Sequence, residues 1–274
     1  MAKQIKDLKI IRHFAQGGLS TLYLAVDKEN RQVLIRRLLP KHIFNKKMHW
    51  CFFRGIRLRS KLPFNDYIVF SYEWGYSGIT PYEIIEYIDG PNLQALIHKQ
   101  DEILNSHRIE LLIEIATAIE FLHKQGIIHL DIKAENFLLT EKSITDNLFC
   151  IKLTDFDLSR KFYGKKILAG NGSVSYISPE QLLGKPVGPL SDMFSFGVLA
   201  YYLLSGHKPF PADTLKEVKK KRLRKERKIV SLNHRVPNLP YELIDLVMKC
   251  LERNPKKRYP RMAYIIKELQ EINL

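Results

Sequence analysis

The stretch SDMFSFGVLAYYLLSG, residues 191–206, constrains the fold of this chain more than any other. It is apolar nearly all the way round a helical wheel, with Ser191 placed as an N-cap and Gly206 just past the end. A helix without a polar face must be sheathed by other elements. The chain therefore needs a sizeable lobe around it. With 274 residues, 45% of them hydrophobic, it has the material. RIELLIEIATAIEFLHKQG sets Leu112, Ile115, Ala116, Ile119 and Leu122 on one face and stops at Gly126. YELIDLVMKCLER and RMAYIIKELQEI read as closing helices.

The first ~90 residues follow a different period. LSTLYLAV and RQVLIRRL are β-rich runs joined by the polar turn DKEN, which predicts a hairpin. A basic amphipathic stretch follows, then two further strand candidates, YIVFSYEWGY and TPYEIIEYI. The class is α+β: a small β-rich front (about 1–88) and a larger helical back (about 89–274), joined near Glu86 to Asn92 in a single domain.

The formal net charge is +15. KEVKKKRLRKERK, from Lys216 to Lys228, holds nine basic and two acidic residues, and a second basic stretch runs from Arg36 to Lys61. Such a run is either a solvated helix face or a docking surface for an acidic partner. Aromatic residues do not interleave with it, which argues against a stacking platform for single-stranded nucleic acid. No stretch reaches the ~20 apolar residues that span a bilayer. MAKQIKDLKI lacks an apolar signal core, and Cys51, Cys150 and Cys250 show no metal-ligand spacing. The expected setting is the reducing cytoplasm, without membrane insertion.

The chemistry concentrates in IIHLDIKAENFLLT, residues 127–140, where Asp131, Lys133 and Asn136 stand between apolar flanks. Some twenty residues on, IKLTDFDLSR delivers Asp155 and Asp157. Carboxylates and an amide on neighbouring loops suit a hard cation such as Mg²⁺, which takes oxygen ligands and phosphate. Asp131 is placed to orient a hydroxyl and accept its proton, and Lys133 to neutralise a transferring phosphoryl group.

HLDIKAEN resembles the HRDxKxxN catalytic loop of eukaryotic-type protein kinases, and TDFD resembles their DFG motif. ISPE (177–180) is similar to APE, and GSVSYISPE to the segment that docks substrate. The helix at 191–206 resembles the central kinase helix, with Asp192 as the residue bracing the catalytic loop. CLERNPKKRY resembles the late segment whose arginine, here Arg258, pairs with the APE glutamate, here Glu180. The resemblance implies a bilobal kinase fold that transfers the γ-phosphoryl of ATP to protein hydroxyls, with Mg²⁺. Lys133 and Ser173 resemble the serine/threonine branch. Carried over residue by residue, Asp131 and Lys133 are catalytic, and Asn136 and Asp155 hold the metal. Gly17, Gly18 and Leu22 lie in the phosphate loop, Leu34 over adenine, and Arg36 on the phosphates. Glu86 and Ile88 offer backbone groups to adenine, Ile85 is the gatekeeper, and Leu138 forms the pocket floor.

The front departs from the pattern. AQGGLSTL keeps only the middle glycine of GxGxxGxV, with Ala15 and Ser20 at the other two positions. VLIR stands for VAIK, so Leu34 should crowd the pocket and Arg36 replaces a lysine. The glutamate expected on the next helix is Gly55 or Ile56, and no Asp or Glu occurs from Arg31 to Asn65. The expectation is an unpaired cation and a helix without its main latch. Leu130 replaces the arginine that receives an activation-loop phosphate, and FYGKKILAGNG holds no serine or threonine to accept one, so a switch by that route is not expected. Asp157 stands in place of the DFG glycine, as a hinge stiffener or a second carboxylate near the metal. Two readings follow: a divergent serine/threonine kinase, or a catalytically impaired pseudokinase serving as scaffold or allosteric partner.

Overall fold

The computed structural model describes residues 4–140, 150–162, 167–168, 172–210, 216–217 and 229–272. The front half is an antiparallel sheet of six strands in the order β1-β2-β3-β4-β6-β5. The strands are β1 (Gln4–Ile5), β2 (Leu8–Gln16), β3 (Ser20–Val26), β4 (Gln32–Leu38), β5 (Ser71–Ser77) and β6 (Thr80–Glu86). The expected hairpin is β3–β4, in a register that sets Leu22 opposite Arg36. The next pairing sets Leu34 opposite Ile85 and Arg36 opposite Glu83. Facing residues of adjacent strands share one side of a sheet, so Arg36 meets Glu83 directly.

The basic amphipathic stretch is helix α1 (Lys46–Arg59). Asn45 caps it, accepting a 3.2 Å hydrogen bond from the Met48 amide. Phe52 and Ile56 on its inner face pack against Leu38 of the sheet. The chain leaves the sheet at Glu86 and enters α2 (Leu93–Lys99), followed by α3 (Glu102–Ser106) and α4 (Arg108–Lys124). Gly126 ends this run with φ +69°, a left-handed conformation that suits glycine.

Short strands carry the chain below the sheet: β7 (Ile127–Ile128), β8 (Phe137–Leu139), β9 (Ile151–Leu153), β10 (Arg160–Lys161) and β11 (Ile167–Leu168). The short α5 (Pro179–Leu182) and β12 (Pro186–Val187) precede the central helix α6 (Pro189–Ser205). From Ser191 to Leu204 every residue of α6 is buried, as an all-apolar helix requires. It packs against α4 and against α7 (Tyr241–Cys250), while α8 (Met262–Glu271) lies on α4. Gly197 lets two segments touch, since a Cβ there would stand 2.8 Å from the Cβ of Cys250.

One expectation is corrected here. Ser191 is not the cap of α6; the helix begins at Pro189 with Gly188 at the cap. Proline suits the first turn because its missing N–H would be unpaired there anyway. Ser191 instead donates its hydroxyl to Glu180 Oε1 at 2.7 Å. Gly206 does close the helix, at φ +67°. Among the described residues no helix is long and apolar enough to cross a membrane.

Candidate active site

The loop after α4 is suspended from the central helix. Both carboxylate oxygens of Asp192 accept backbone N–H bonds, from His129 and from Leu130, each at 2.7 Å. His123 Nε2 lies 3.0 Å from the same carboxylate. Leu130 is held at φ +65°, where a side chain other than glycine costs roughly 1–2 kcal/mol. Its side chain is buried with Ile128 and Val187, filling the place where the resemblance has a phosphate-binding arginine. Burial depresses the pKa of His129, and its Nε2 lies 3.1 Å from the Thr154 carbonyl.

This suspension sets the polar trio. Asp131 Oδ1 accepts from the Ser173 amide at 3.0 Å and from the Ser173 hydroxyl at 2.8 Å. Its Oδ2 accepts from Lys133 Nζ at 2.8 Å and, at 3.4 Å, from Asn136 Nδ2. Burial by itself would raise the pKa of Asp131, but the Lys133 ammonium and the Ser173 hydroxyl outweigh it and hold the carboxyl below its ordinary range. Lys133 is held above its ordinary range, because Asp131 outweighs its burial. The two groups therefore form a charged pair, with Asp131 on the wall of the cleft.

Asn136 donates from Nδ2 to the Asp131 carbonyl at 2.9 Å, which leaves its Oδ1 as the end available to a cation. Asp155 lines the same cleft, at φ +64°, and its carboxylate takes no hydrogen bond among the described residues. Two hard oxygen donors, one of them an uncommitted carboxylate, fit a Mg²⁺ that keeps water and phosphate as its other ligands.

Arg36 overturns the expectation of an unpaired cation. Its guanidinium contacts Asp157 Oδ2 and lies 3.4 Å from Glu83 Oε2. Nε donates to the Ser20 hydroxyl at 3.1 Å, and the group stacks 4.6 Å over the Phe52 ring. Glu83 is fully buried; it also binds Arg59 of α1, with Nε at 3.0 Å from Oε1, and accepts from the Ser71 hydroxyl at 2.9 Å. Burial pushes the pKa of Asp157 up to about 7; Arg36 pulls against this, while Asp155 adds to it. Arg59 and Arg36 outweigh the burial of Glu83 and hold its carboxyl below its ordinary range. Asp157 is thus a partner of Arg36. Glu83, Arg59 and Ser173 were not among the residues expected at the site. Glu83 carried a signal: a carboxylate inside the apolar strand PYEIIE needs a cationic partner once that strand is central.

A cleft of about 480 Å³ joins these groups. It is lined by Gly17, Gly18, Leu22, Arg36 and Ile85 from the sheet, and by Asp131, Asn136, Asp155 and Asp157 from below. Lys133 reaches it through Asp131. Gly17 N donates to the Ser20 carbonyl at 2.9 Å, closing the loop turn. The rest of the expected site is not brought into the cleft. Leu34 and Ile88 are buried in one apolar cluster with Leu24, Val69 and Ile85, and Leu138 packs against it. Glu86 anchors the crossing by its side chain, accepting from the Phe70 amide at 3.0 Å and from Lys152 at 2.8 Å. Below the cleft, Arg258 forks onto Glu180 at 2.8 and 3.0 Å, a buried pair that braces the lobe. The basic run is described only at Lys216 and Glu217; residues 218–228 lie outside the described residues.

Comparison with known proteins agrees with this geometry. The family model described as "Protein kinase domain" matches residues 8–269. A probable serine/threonine-protein kinase of Clostridium acetobutylicum is 32% identical over 96% of this chain and 39% of its own length. One of Clostridium perfringens is 30% identical over 96% and 38%. The serine/threonine-protein kinase PknB of Mycolicibacterium smegmatis is 28% identical over 94% and 41%. The chain thus spans about two fifths of the length of the curated relatives it matches.

Proposed function

This chain belongs to the protein kinase family, and on that premise we propose that it transfers the γ-phosphoryl group of ATP to serine or threonine hydroxyls of proteins. The observation that carries the reading is the pairing of an ionised Asp131 with Lys133 on a loop fixed by Asp192. Asp131 orients the incoming hydroxyl and takes its proton as the bond to phosphorus forms. A carboxylate held below its ordinary range is a weak base, so orientation is the larger part of its work. Lys133 stabilises negative charge on the transferring group. Mg²⁺, bound by Asn136 and Asp155, would neutralise charge on the phosphate oxygens. Arg36, with the Gly17–Gly18 turn above it, holds the other phosphates. Adenine enters beside Ile85 with its edge on the backbone of Glu86 and Ile88, between Leu22, Leu34 and Leu138, and Leu34 must yield to admit it.

An assay of label transfer from ATP to a generic serine/threonine substrate tests this reading. Asp131→Asn should lose ~10²–10⁴-fold in rate with the fold intact. Equal rates for the variant and the native protein would sink the reading.

The alternative reading, a scaffold that has given up catalysis, rests on Leu34, which packs in one apolar cluster with Ile85 and Ile88 at the expected adenine end. In either case the partner is a protein, and we place its docking site on the basic 216–228 segment, which calls for an acidic surface. Reversing charges there should abolish that association, while Asp131→Asn should leave it. We place the protein in the cytoplasm, where buried thiols such as Cys51 and Cys250 stay reduced.

A further inference from the structure

Within this kinase reading, we infer that the latch between helix α1 and the sheet runs with its charges exchanged, and that Asp157 is the positioning residue that holds Arg36. In the arrangement the resemblance implies, the strand supplies a cation and the helix an acid. Here the helix has no acid to give, since none occurs from Arg31 to Asn65. It supplies cations instead. Arg59 reaches from α1 to Glu83 of β6, the residue directly across the sheet from Arg36. Arg54 donates to the backbone carbonyls of Asp157 and Ser159, the latter at 3.0 Å. Asp157 closes the circuit from the loop side by meeting Arg36. Two arginines and two carboxylates tie strand, helix and loop to one another, and each buried charge has an opposite neighbour.

Gly55 is what makes the exchange possible. A Cβ built on it would stand 2.9 Å from Asp157 Oδ1 and 3.1 Å from the backbone of Phe156. A side chain at 55 and a carboxylate at 157 therefore contest one space. Gly55 and Asp157 looked like two unrelated losses in the sequence; in the structure they are the two halves of one substitution of partner. The Phe52 ring beneath the guanidinium and the Ser20 hydroxyl on its Nε complete the seat of Arg36.

Hydrogen exchange of the α1 amides, measured beside ATP affinity by calorimetry, tests the latch in four variants. Asp157→Gly should speed exchange across α1 and weaken ATP binding by at least ~10-fold, as loss of one partner of a buried charge pair does. Asp157→Asn keeps the volume and should do the same, which guards against a packing artefact. Gly55→Glu alone should be damaging, because two carboxylates then contest one space. Combined with Asp157→Gly it should recover slow α1 exchange, so that the double variant is better than either single. Unchanged α1 exchange in both Asp157 variants would overturn the inference. So would a double variant no better than the product of its singles. A native protein that binds no ATP would instead overturn the proposed function, while the exchange data still decide the latch.

Discussion

The back and front of this molecule each keep a buried arginine–carboxylate linkage, and they keep it differently. In the back, Arg258 and Glu180 meet as the family pattern has them, fork to carboxylate at 2.8 and 3.0 Å. In the front, the cation stays at Arg36 but its partners come from elsewhere: Glu83 across the sheet and Asp157 from the loop. What matters at such a site is that a buried charge be neutralised and the elements tied, and the identity of the donor element is free to change. A motif records one donor, so a moved partner reads as a missing one.

If the two linkages are equivalent, breaking either should cost alike. Glu180→Gln and Glu83→Gln should each destabilise by ~3–5 kcal/mol in urea unfolding, since each strands buried arginine charge. A neutral Glu83→Gln would break the comparison and leave the front linkage ornamental. Next in size is Leu34→Ala, which should lower stability by ~2–5 kcal/mol through the cavity it leaves. The same variant should tighten ATP binding by opening the adenine end, which calorimetry would read. Weakened binding would mean that Leu34 shapes the pocket and does not obstruct it.

The pH dependence of stability sharpens the role of Asp157. Its folded pKa is raised to about 7, whereas the unfolded carboxyl titrates near ~4. Between these values the folded chain holds a proton that the unfolded chain releases. The native protein should therefore lose stability relative to Asp157→Asn as pH rises from ~4 to ~7, and the difference should level off above. Parallel profiles for the two proteins would mean that Asp157 titrates as an ordinary exposed carboxyl.

The same contrast explains what was legible beforehand. The back lobe was readable because its signals are local or carried by motifs. The apolar run of α6 demanded burial, Gly126 and Gly206 marked real stops, and Asp192, Glu180 and Arg258 stand where the pattern puts them. The front was readable in the β3–β4 hairpin and in the strand runs of β5 and β6, which are β-rich. It was not readable in β2, where LKIIRHFAQ buries only Leu8 and so shows no alternation. Ser191 misled because a serine before an apolar run is a good cap signal, yet Pro189 already fixes the first turn two residues earlier. In the sequence Ser173 marks only the branch, and its contact with Asp131 needs 42 residues of chain to be folded back. Glu83 and Arg59 are likewise pairings across elements, which no local window contains.

The central claim is that this altered front still admits a nucleotide over the intact lower half of the site. The most direct test is the thermal shift of the purified protein with ATP, with and without Mg²⁺, beside Asp155→Asn. The account predicts a rise in melting temperature that saturates with ATP, needs the metal, and is lost in Asp155→Asn. No shift at millimolar ATP with Mg²⁺ would contradict it, and would mean that Leu34 and its neighbours close the cleft to the nucleotide.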